Sequence, residues 1–172
     1  MSNLLNQLTG DDLRSIGHAQ EVVDEVLADP QQFGELVMGM LHADPVVRMR
    51  AADAVEKVTH AHPKWLQVYK AFLIEKVAPL EQPEVRWYVC QLLPRLELTA
   101  EERQVVINIL EGYLNDKSSI VKTFAMQALA DLAMEEVGLR QEIIGKIEAL
   151  TASGTPAMRS RGKKLLKKLK GK

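Results

Sequence analysis

Cysteine, aromatic residues and long apolar runs are all scarce in this sequence, and each scarcity excludes a class of structure. Cys90 is the only cysteine, so an internal disulfide is impossible and a reducing compartment suits the chain. No stretch approaches the roughly 20 consecutive apolar residues that a membrane-spanning helix needs. The first residues lack the positive region and the apolar core of a secretory signal. We therefore expect a cytoplasmic protein with no membrane span.

The signature motifs of enzymes are missing as well. The sequence contains no phosphate-binding Gly-x-x-x-x-Gly-Lys-Ser/Thr loop, no Gly-x-Gly-x-x-Gly and no Gly-x-Ser-x-Gly. His60 and His62 are close together, but a zinc site needs further ligands and none is nearby in the sequence. Cys90 falls on the packing side of a predicted helix, as an inert core thiol would. We expect a non-enzymatic protein without catalytic residues, metal or cofactor.

Positive charge is concentrated at the C-terminal end. Residues 149–172 contain eight lysines and arginines and no acidic residue, whereas the chain as a whole has a net charge of -1. The segment could be the solvated face of a helix whose leucines close the core. It could instead contact nucleic-acid phosphates or anionic lipid, or the acidic part of another copy. The candidate anion-binding residues are Arg159, Arg161, Lys163, Lys164, Lys167 and Lys168.

Helix signals recur along the whole chain, while alternating strand patterns and Asn-Gly hairpin turns are nearly absent. In the clearest example Asp44 is a predicted N-cap and Pro45 occupies the first helical position, where its missing N–H costs nothing. Val47, Ala51 and Val55 then follow at intervals of four, which places them on one face. Five of the seven prolines precede or open a predicted helix: Pro30, Pro45, Pro63, Pro83 and Pro156.

Other boundaries follow from local chemistry. A front helix is predicted over residues 12–28. Thr99 and Glu102 have the spacing of a capping box, in which each side chain bonds the other residue's amide. Pro94 removes a backbone hydrogen bond late in its helix, so we expect a kink or an early end there.

A pair of residues near the start of every second helix repeats along the chain. Val47-Arg48 is followed by similar pairs at steps of 38, 36 and 37 residues, and these pairs are Val85-Arg86, Val121-Lys122 and Met158-Arg159. The spacing predicts one domain, residues 1–172, with repeats at 30–61, 62–97, 98–136 and 137–170. Residues 1–29 would form an N-terminal cap or half-repeat, which arrays need to shield their end.

On these residues the chain resembles the HEAT repeat family between about residues 30 and 169. The resemblance implies an all-α, right-handed α–α superhelix, or solenoid, of about four helical hairpins plus an N-terminal capping helix. It also implies a protein-binding scaffold whose second helices line a concave face. A ladder of charge pairs is implied as well, such as Asp44 with Arg48 or the cross-repeat partners of these residues. No His-Glu pair of the kind used by HEAT-like di-iron hydroxylases occurs.

The predicted binding face follows from helix geometry. With Val47 directed inward, Met49 lies about 200° away at 100° per residue and should be the most exposed position. Trp87 occupies the equivalent position of the next copy. The predicted face consists of Met49, Arg50, Trp87, Tyr88, Gln91, Thr123, Phe124 and Gln127. An alternative is that Tyr88 and Phe124 fill the seams between repeats.

A second functional class remains open at this point. The basic C-terminal helix could make the chain a nucleic-acid-binding HEAT-like protein. HEAT-like proteins also include DNA glycosylases for alkylated bases, which use a concave Trp/Asp site with basic rims. Trp87 and the basic segment permit that activity, but the short length and the acidic remainder of the chain argue against it.

Overall fold

The computed structural model describes residues 3–171, and within that range every regular element is a helix. The first two residues of the predicted cap and Lys172 of the basic segment lie outside the described residues. None of the described helices is both long enough and apolar enough to cross a membrane. The chain divides into two compact units, Met1–Glu97 and Leu98–Lys172. That division falls at the predicted boundary between the second and third repeats, while the division into four repeats stays a prediction.

The first unit contains six α-helices joined by tighter helical turns. They are α1 (Asn3–Asn6), α2 (Ala19–Ala28), α3 (Phe33–Met38), α4 (Pro45–Ala61), α5 (Lys70–Phe72) and α6 (Pro83–Leu92). Short 3₁₀ segments occupy Pro30–Gln32, Gly39–Leu41, Pro63–Tyr69 and Leu93–Arg95, and α5 continues into a π-helical turn at Leu73–Val77. The first helix of the second hairpin is therefore irregular, although its apolar pattern predicts a regular α-helix.

Helix α4 forms the centre of this unit. The carboxylate of Asp44 accepts a hydrogen bond from the amide of Val46 at 2.8 Å, so the predicted cap is confirmed. The helix packs against α2, α3, α6 and the Pro63–Tyr69 segment. Its predicted inward residues Val47, Ala51, Val55 and Val58 are completely buried. Because neighbours surround α4 on several sides, far more of its surface is buried than one apolar stripe would cover.

The second unit contains α7 (Ala100–Tyr113), α8 (Ser119–Glu135), α9 (Arg140–Ser153) and α10 (Pro156–Leu169). The predicted capping box is present, with both hydrogen bonds between Thr99 and Glu102 formed. Ser118 and Thr155 cap α8 and α10 through their hydroxyl oxygens. Helix α8 packs against α7, α9 and α10, and it therefore holds the core of this unit.

Two predicted boundaries have different outcomes. The early helix end before Pro94 is confirmed, since α6 stops at Leu92 and a 3₁₀ turn contains the proline. The front helix over residues 12–28 is wrong in its first half, because the chain turns through residues 11–18 and α2 begins at Ala19. Gly10 and Gly17 have φ angles of +153° and +53°, which a helix does not permit.

Helices α9 and α10 approach each other closely at Gly162. A Cβ atom at this position would lie 1.8 Å from Oγ1 of Thr151 on α9. Only a residue without a side chain can therefore occupy the position while α9 and α10 keep this packing. Met158, Leu165 and Leu169 are buried on the same side of α10, so its apolar residues close the core as the capping interpretation requires.

Candidate binding surfaces

Two of the eight residues in the predicted binding face are buried. Met49 is 3% exposed and Arg50 is 4% exposed, so the expectation that Met49 is the most exposed position of its helix is wrong. The prediction assumed that α4 buries a single side. In the structure α2 and α6 both pack against α4 in addition to its own hairpin partner α3, and the position opposite Val47 is therefore covered as well.

Arg50 has a structural role instead of a surface role. Its guanidinium donates hydrogen bonds to the backbone carbonyls of Leu8, Thr9, Asp12 and Ser15, with Nε 3.0 Å from the Ser15 oxygen. A Cβ atom at Gly10 or Gly17 would lie 2.6 Å from Nη1 of this guanidinium. The side chain thus holds the irregular segment between α1 and α2 in place, and both glycines make room for it.

Trp87 and Tyr88 lie together on α6, and both are half-buried. Their ring centroids are 5.9 Å apart in an edge-to-face arrangement. The hydroxyl of Tyr88 donates to Oδ1 of Asp53 at 2.9 Å, and Lys57 donates to Oδ2 of the same carboxylate at 2.8 Å. Burial, followed by the charge of Asp53, raises the pKa of Tyr88. Tyr88 therefore ties α6 to α4, while Trp87 keeps part of its ring in solvent.

We expect Tyr88→Phe to lower the free energy of unfolding by about 1 kcal/mol, because Asp53 loses one hydrogen bond in a buried position. Urea denaturation followed by tryptophan fluorescence measures the change. Tyr69→Phe is the matched control. Tyr69 is also half-buried, and its hydroxyl has no hydrogen-bond partner among residues 3–171. Equal effects of the two substitutions would contradict a structural role for the Tyr88–Asp53 bond.

The remaining predicted face residues are half-buried in their own units. Gln91 donates to the Trp87 carbonyl in the first unit, and Thr123 donates to the Ser119 carbonyl in the second. Oε1 of Gln127 accepts a hydrogen bond from Arg161 on α10 at 2.7 Å. Phe124 is half-buried on α8. Each of these side chains keeps some exposure, and their role in binding stays a prediction.

The arginine of the repeated Val-Arg pair bonds backbone carbonyls. Nη1 of Arg48 donates to the carbonyls of His42 and Ala43 at 2.8 and 3.0 Å, and Nε donates to the side chain of Gln82 at 2.8 Å. Gln82, which precedes α6, in turn donates to the Pro45 carbonyl. The predicted charge pair of Arg48 with Asp44 is wrong, because that carboxylate caps α4 instead.

Two other copies use their arginine in the same way. Arg86 donates to the Leu80 carbonyl at 2.8 Å, and Arg159 donates to the Gly154 carbonyl at 2.9 Å. In each case the acceptor lies five or six residues earlier, in the turn after the preceding helical segment. Carbonyls at helix ends lack intrahelical partners, so a cation at this position satisfies them and fixes the turn in these three copies.

The predicted anion-binding residues fall into two groups. Arg159 and Arg161 are committed to Gly154 and Gln127. The other four are exposed and make no ion pair or hydrogen bond within residues 3–171: Lys163, Lys164, Lys167 and Lys168. We call these four residues the lysine face of α10.

Sequence reasoning missed a third surface, around the end of α4. His62 stacks on Trp65 with ring centroids 4.5 Å apart, and Phe33 meets Trp65 edge to face at 5.6 Å. An open recess of about 320 Å³ lies over residues 61–65. Arg95 closes the same end of α4 by donating to the Glu56 carbonyl and to Thr59 Oγ1. The spacing of His62 and Trp65, one helical turn apart, could have predicted that their rings lie side by side.

Comparison with known protein families agrees with the helical repeats and with the arginine–carbonyl contacts that recur in them. The model of the HEAT repeat domain matches residues 6–169, which extend from α1 to the last residue of α10. No curated protein and no solved structure shows significant similarity to the chain. The match includes α2 and the Arg50-bound segment, which precede the part of the sequence where the repeat pattern is visible. The chain belongs to the HEAT repeat domain family.

Proposed function

We propose that this protein is a non-enzymatic scaffold that binds another protein. In this proposal about four helical hairpins stack as a right-handed superhelix, and the second helices α4, α6, α8 and α10 line its concave face. Family membership supports it, because HEAT repeats commonly mediate protein interactions. We propose the cytoplasm as its compartment, since a single buried cysteine suits a reducing environment.

The observation that carries the proposal is the position of Trp87. Trp87 is partly exposed, and its ring packs edge to face against Tyr88. The hydroxyl of Tyr88 is hydrogen-bonded to Asp53, so the ring of Trp87 rests on a fixed neighbour. Large aromatic side chains with little rotamer freedom dominate the binding energy of protein interfaces. The proposed surface in the first unit is therefore Trp87 with Gln91. In the second unit, taken by itself, the candidate binding residues are Thr123, Phe124 and Gln127.

The ionisable groups near Trp87 support binding over catalysis. Asp53 is buried and shared between Lys57 and Tyr88, and the raised pKa of Tyr88 keeps its hydroxyl protonated and unable to act as a base. Within residues 3–171 no three His, Cys, Asp or Glu side chains are grouped so as to hold a metal ion. The side chains next to Trp87 are thus held in place by hydrogen bonds, as suits a preformed surface for binding another protein.

Site-specific photo-crosslinking tests the proposal. A crosslinking phenylalanine analogue replaces Trp87 in one protein and Val68 in a control, because Val68 is 83% exposed and lies outside the second helices. We expect the analogue at position 87 to give discrete adducts that an excess of unmodified protein removes, and the analogue at position 68 to give none. The same adducts from both positions, or none from either, would refute the proposed surface.

Once the crosslinked protein is identified, fluorescence measures its affinity. Trp65→Phe leaves Trp87 as the sole tryptophan, so burial of its ring on binding shifts the emission directly. We expect Trp87→Ala to weaken binding about 30-fold, which corresponds to the roughly 2 kcal/mol that defines an interface hot spot. An unchanged dissociation constant for Trp87→Ala would show that the partner binds elsewhere.

A further inference from the structure

The lysine face of α10 presents its charges on one side of the helix. At 100° per residue, Lys163, Lys167, Lys164 and Lys168 span an arc of about 140°. Gly162, Leu165 and Leu169 occupy the opposite side and are buried in the second unit. Packing of these three residues in the second unit fixes which side of α10 faces solvent. The four lysines are therefore all presented on that exposed side.

Several other lysines of the chain form ion pairs within the protein. Lys57 pairs with Asp53 at i,i+4, and Lys146 bonds both Glu142 and Glu111, which raises the pKa of Lys146. In the lysine face the i,i+4 neighbours are Lys163 with Lys167 and Lys164 with Lys168. Like charges at this spacing destabilise a helix by about 0.2–0.5 kcal/mol per pair. Asp131 is close enough for Lys168 to act on its charge, so the repulsion is offset in part at that lysine. An external anion would relieve the remaining repulsion among the four lysines.

The linear density of these charges matches that of a nucleic acid. Residues 163 to 168 extend over about 7.5 Å of helix axis, so the face carries one positive charge per roughly 2 Å. Duplex DNA carries one negative charge per about 1.7 Å of its axis. Lysine side chains bind phosphate as point charges, without the fixed geometry that arginine imposes. The face is thus suited to a phosphodiester backbone and reads no base sequence.

Two other occupants fit the face less well. A helix that lies in a lipid surface buries an apolar side among the acyl chains. In the described length of α10, Leu165 and Leu169 are buried in the core and Leu166 is half-buried, so the helix has no exposed apolar side to insert. A second copy of the chain would supply acidic side chains, but several of these are committed inside the protein, as Glu111 and Asp53 are.

We propose that the lysine face of α10 binds the phosphodiester backbone of nucleic acid without sequence preference. This interaction is separate from the protein-binding surface around Trp87. It needs no aromatic stacking, and α10 itself has no aromatic residue. Affinity then comes from counterion release and falls steeply with salt.

Fluorescence anisotropy of a labelled 25-base-pair duplex of arbitrary sequence tests the proposal with the full chain. We expect binding to weaken about 100-fold between 50 and 200 mM salt for four phosphate contacts. The variant with Lys163→Gln, Lys164→Gln, Lys167→Gln and Lys168→Gln should lose this binding, and four Lys→Arg substitutions at the same positions should keep it. Circular dichroism of each variant verifies that α10 still folds.

The matched control removes four exposed cations elsewhere, through Arg14→Gln, Lys64→Gln, Lys76→Gln and Lys117→Gln. Its net charge equals that of the glutamine variant, and it should bind the duplex as the wild type does. Equal loss in both variants, or no duplex binding by the wild type, would overturn the proposal. So would salt-sensitive binding to phosphatidylserine vesicles without duplex binding, or self-association that only the lysine-face variant abolishes.

Discussion

Replacing Arg50 with alanine is expected to lower the free energy of unfolding by about 3 kcal/mol. The substitution removes charge-assisted hydrogen bonds to four carbonyls and leaves a space beside Gly10 and Gly17. Hydrogen bonds to charged groups contribute about 1.5–3 kcal/mol each. The expected loss is smaller than the sum of four bonds because water can bond the carbonyls of this exposed segment in the variant. Urea denaturation followed by tryptophan fluorescence reports on the correct unit, because Trp65 and Trp87 both lie in it.

Two further variants distinguish the geometry of Arg50 from its charge. Arg50→Lys keeps the charge but cannot reach four carbonyls, so we expect it to lose about 2 kcal/mol. Arg14→Ala removes an exposed arginine in the same segment and should change stability by less than about 0.5 kcal/mol. Limited proteolysis should cut Arg50→Ala between residues 9 and 18 sooner than the wild type. Unchanged stability and cleavage would contradict the role assigned to Arg50.

Gly162→Ala is expected to destabilise the second unit by about 2 kcal/mol, although alanine in a helix is normally about 1 kcal/mol better than glycine. The added methyl group would lie 1.8 Å from Thr151 Oγ1 and 3.0 Å from its Cβ. Thr151 also donates a hydrogen bond to the Ile147 carbonyl, so its hydroxyl cannot move away freely. Overpacking of this kind typically costs 1–3 kcal/mol, and thermal unfolding followed by circular dichroism measures it.

Gly145→Ala provides the control for this substitution. Gly145 also lies within a helix of the second unit, and a Cβ atom there would have no neighbour within 4 Å. We expect it to raise stability by up to about 1 kcal/mol. Thr151→Ala combined with Gly162→Ala should recover at least half of the loss, since the hydroxyl that clashes is gone. If Gly162→Ala raised stability as Gly145→Ala does, the close packing of α9 and α10 would be refuted.

Helix starts were the most predictable part of this fold, because their causes are local. Asp44 and Thr99 cap helices where their sequence positions predict it. Core residues at helical spacing are also confirmed, as Val47 and Ala51 show. A capping side chain contacts an amide two or three residues away, and an apolar stripe repeats every helical turn. Both features can therefore be predicted without knowing which distant segments pack nearby.

The errors at Met49, at Arg50 and in the front helix concern contacts with distant segments. Met49 and Arg50 are buried because α4 is packed on more sides than its own sequence reveals. In the first half of the predicted front helix, Arg50 takes the carbonyls of Asp12 and Ser15 from 38 and 35 residues away, and these carbonyls are not used in helical hydrogen bonds. The error at Arg48 has a local cause instead, since the geometry of the preceding turn places the carbonyls of His42 and Ala43 within reach of its guanidinium.

The bonds that Arg48, Arg86 and Arg159 make with backbone carbonyls have a consequence for how the protein responds to its electrolyte. A carbonyl is a neutral acceptor that does not titrate, and a charge–dipole contact is screened less than a pair of surface ions. The turns between paired helices should therefore hold equally well in dilute buffer and in concentrated salt. The lysines of the lysine face are exposed and form no ion pair within residues 3–171, so the electrolyte acts on the nucleic-acid binding that we propose for that face. Ionic strength would thus control occupancy of the lysine face while the turns held by these three arginines keep their geometry.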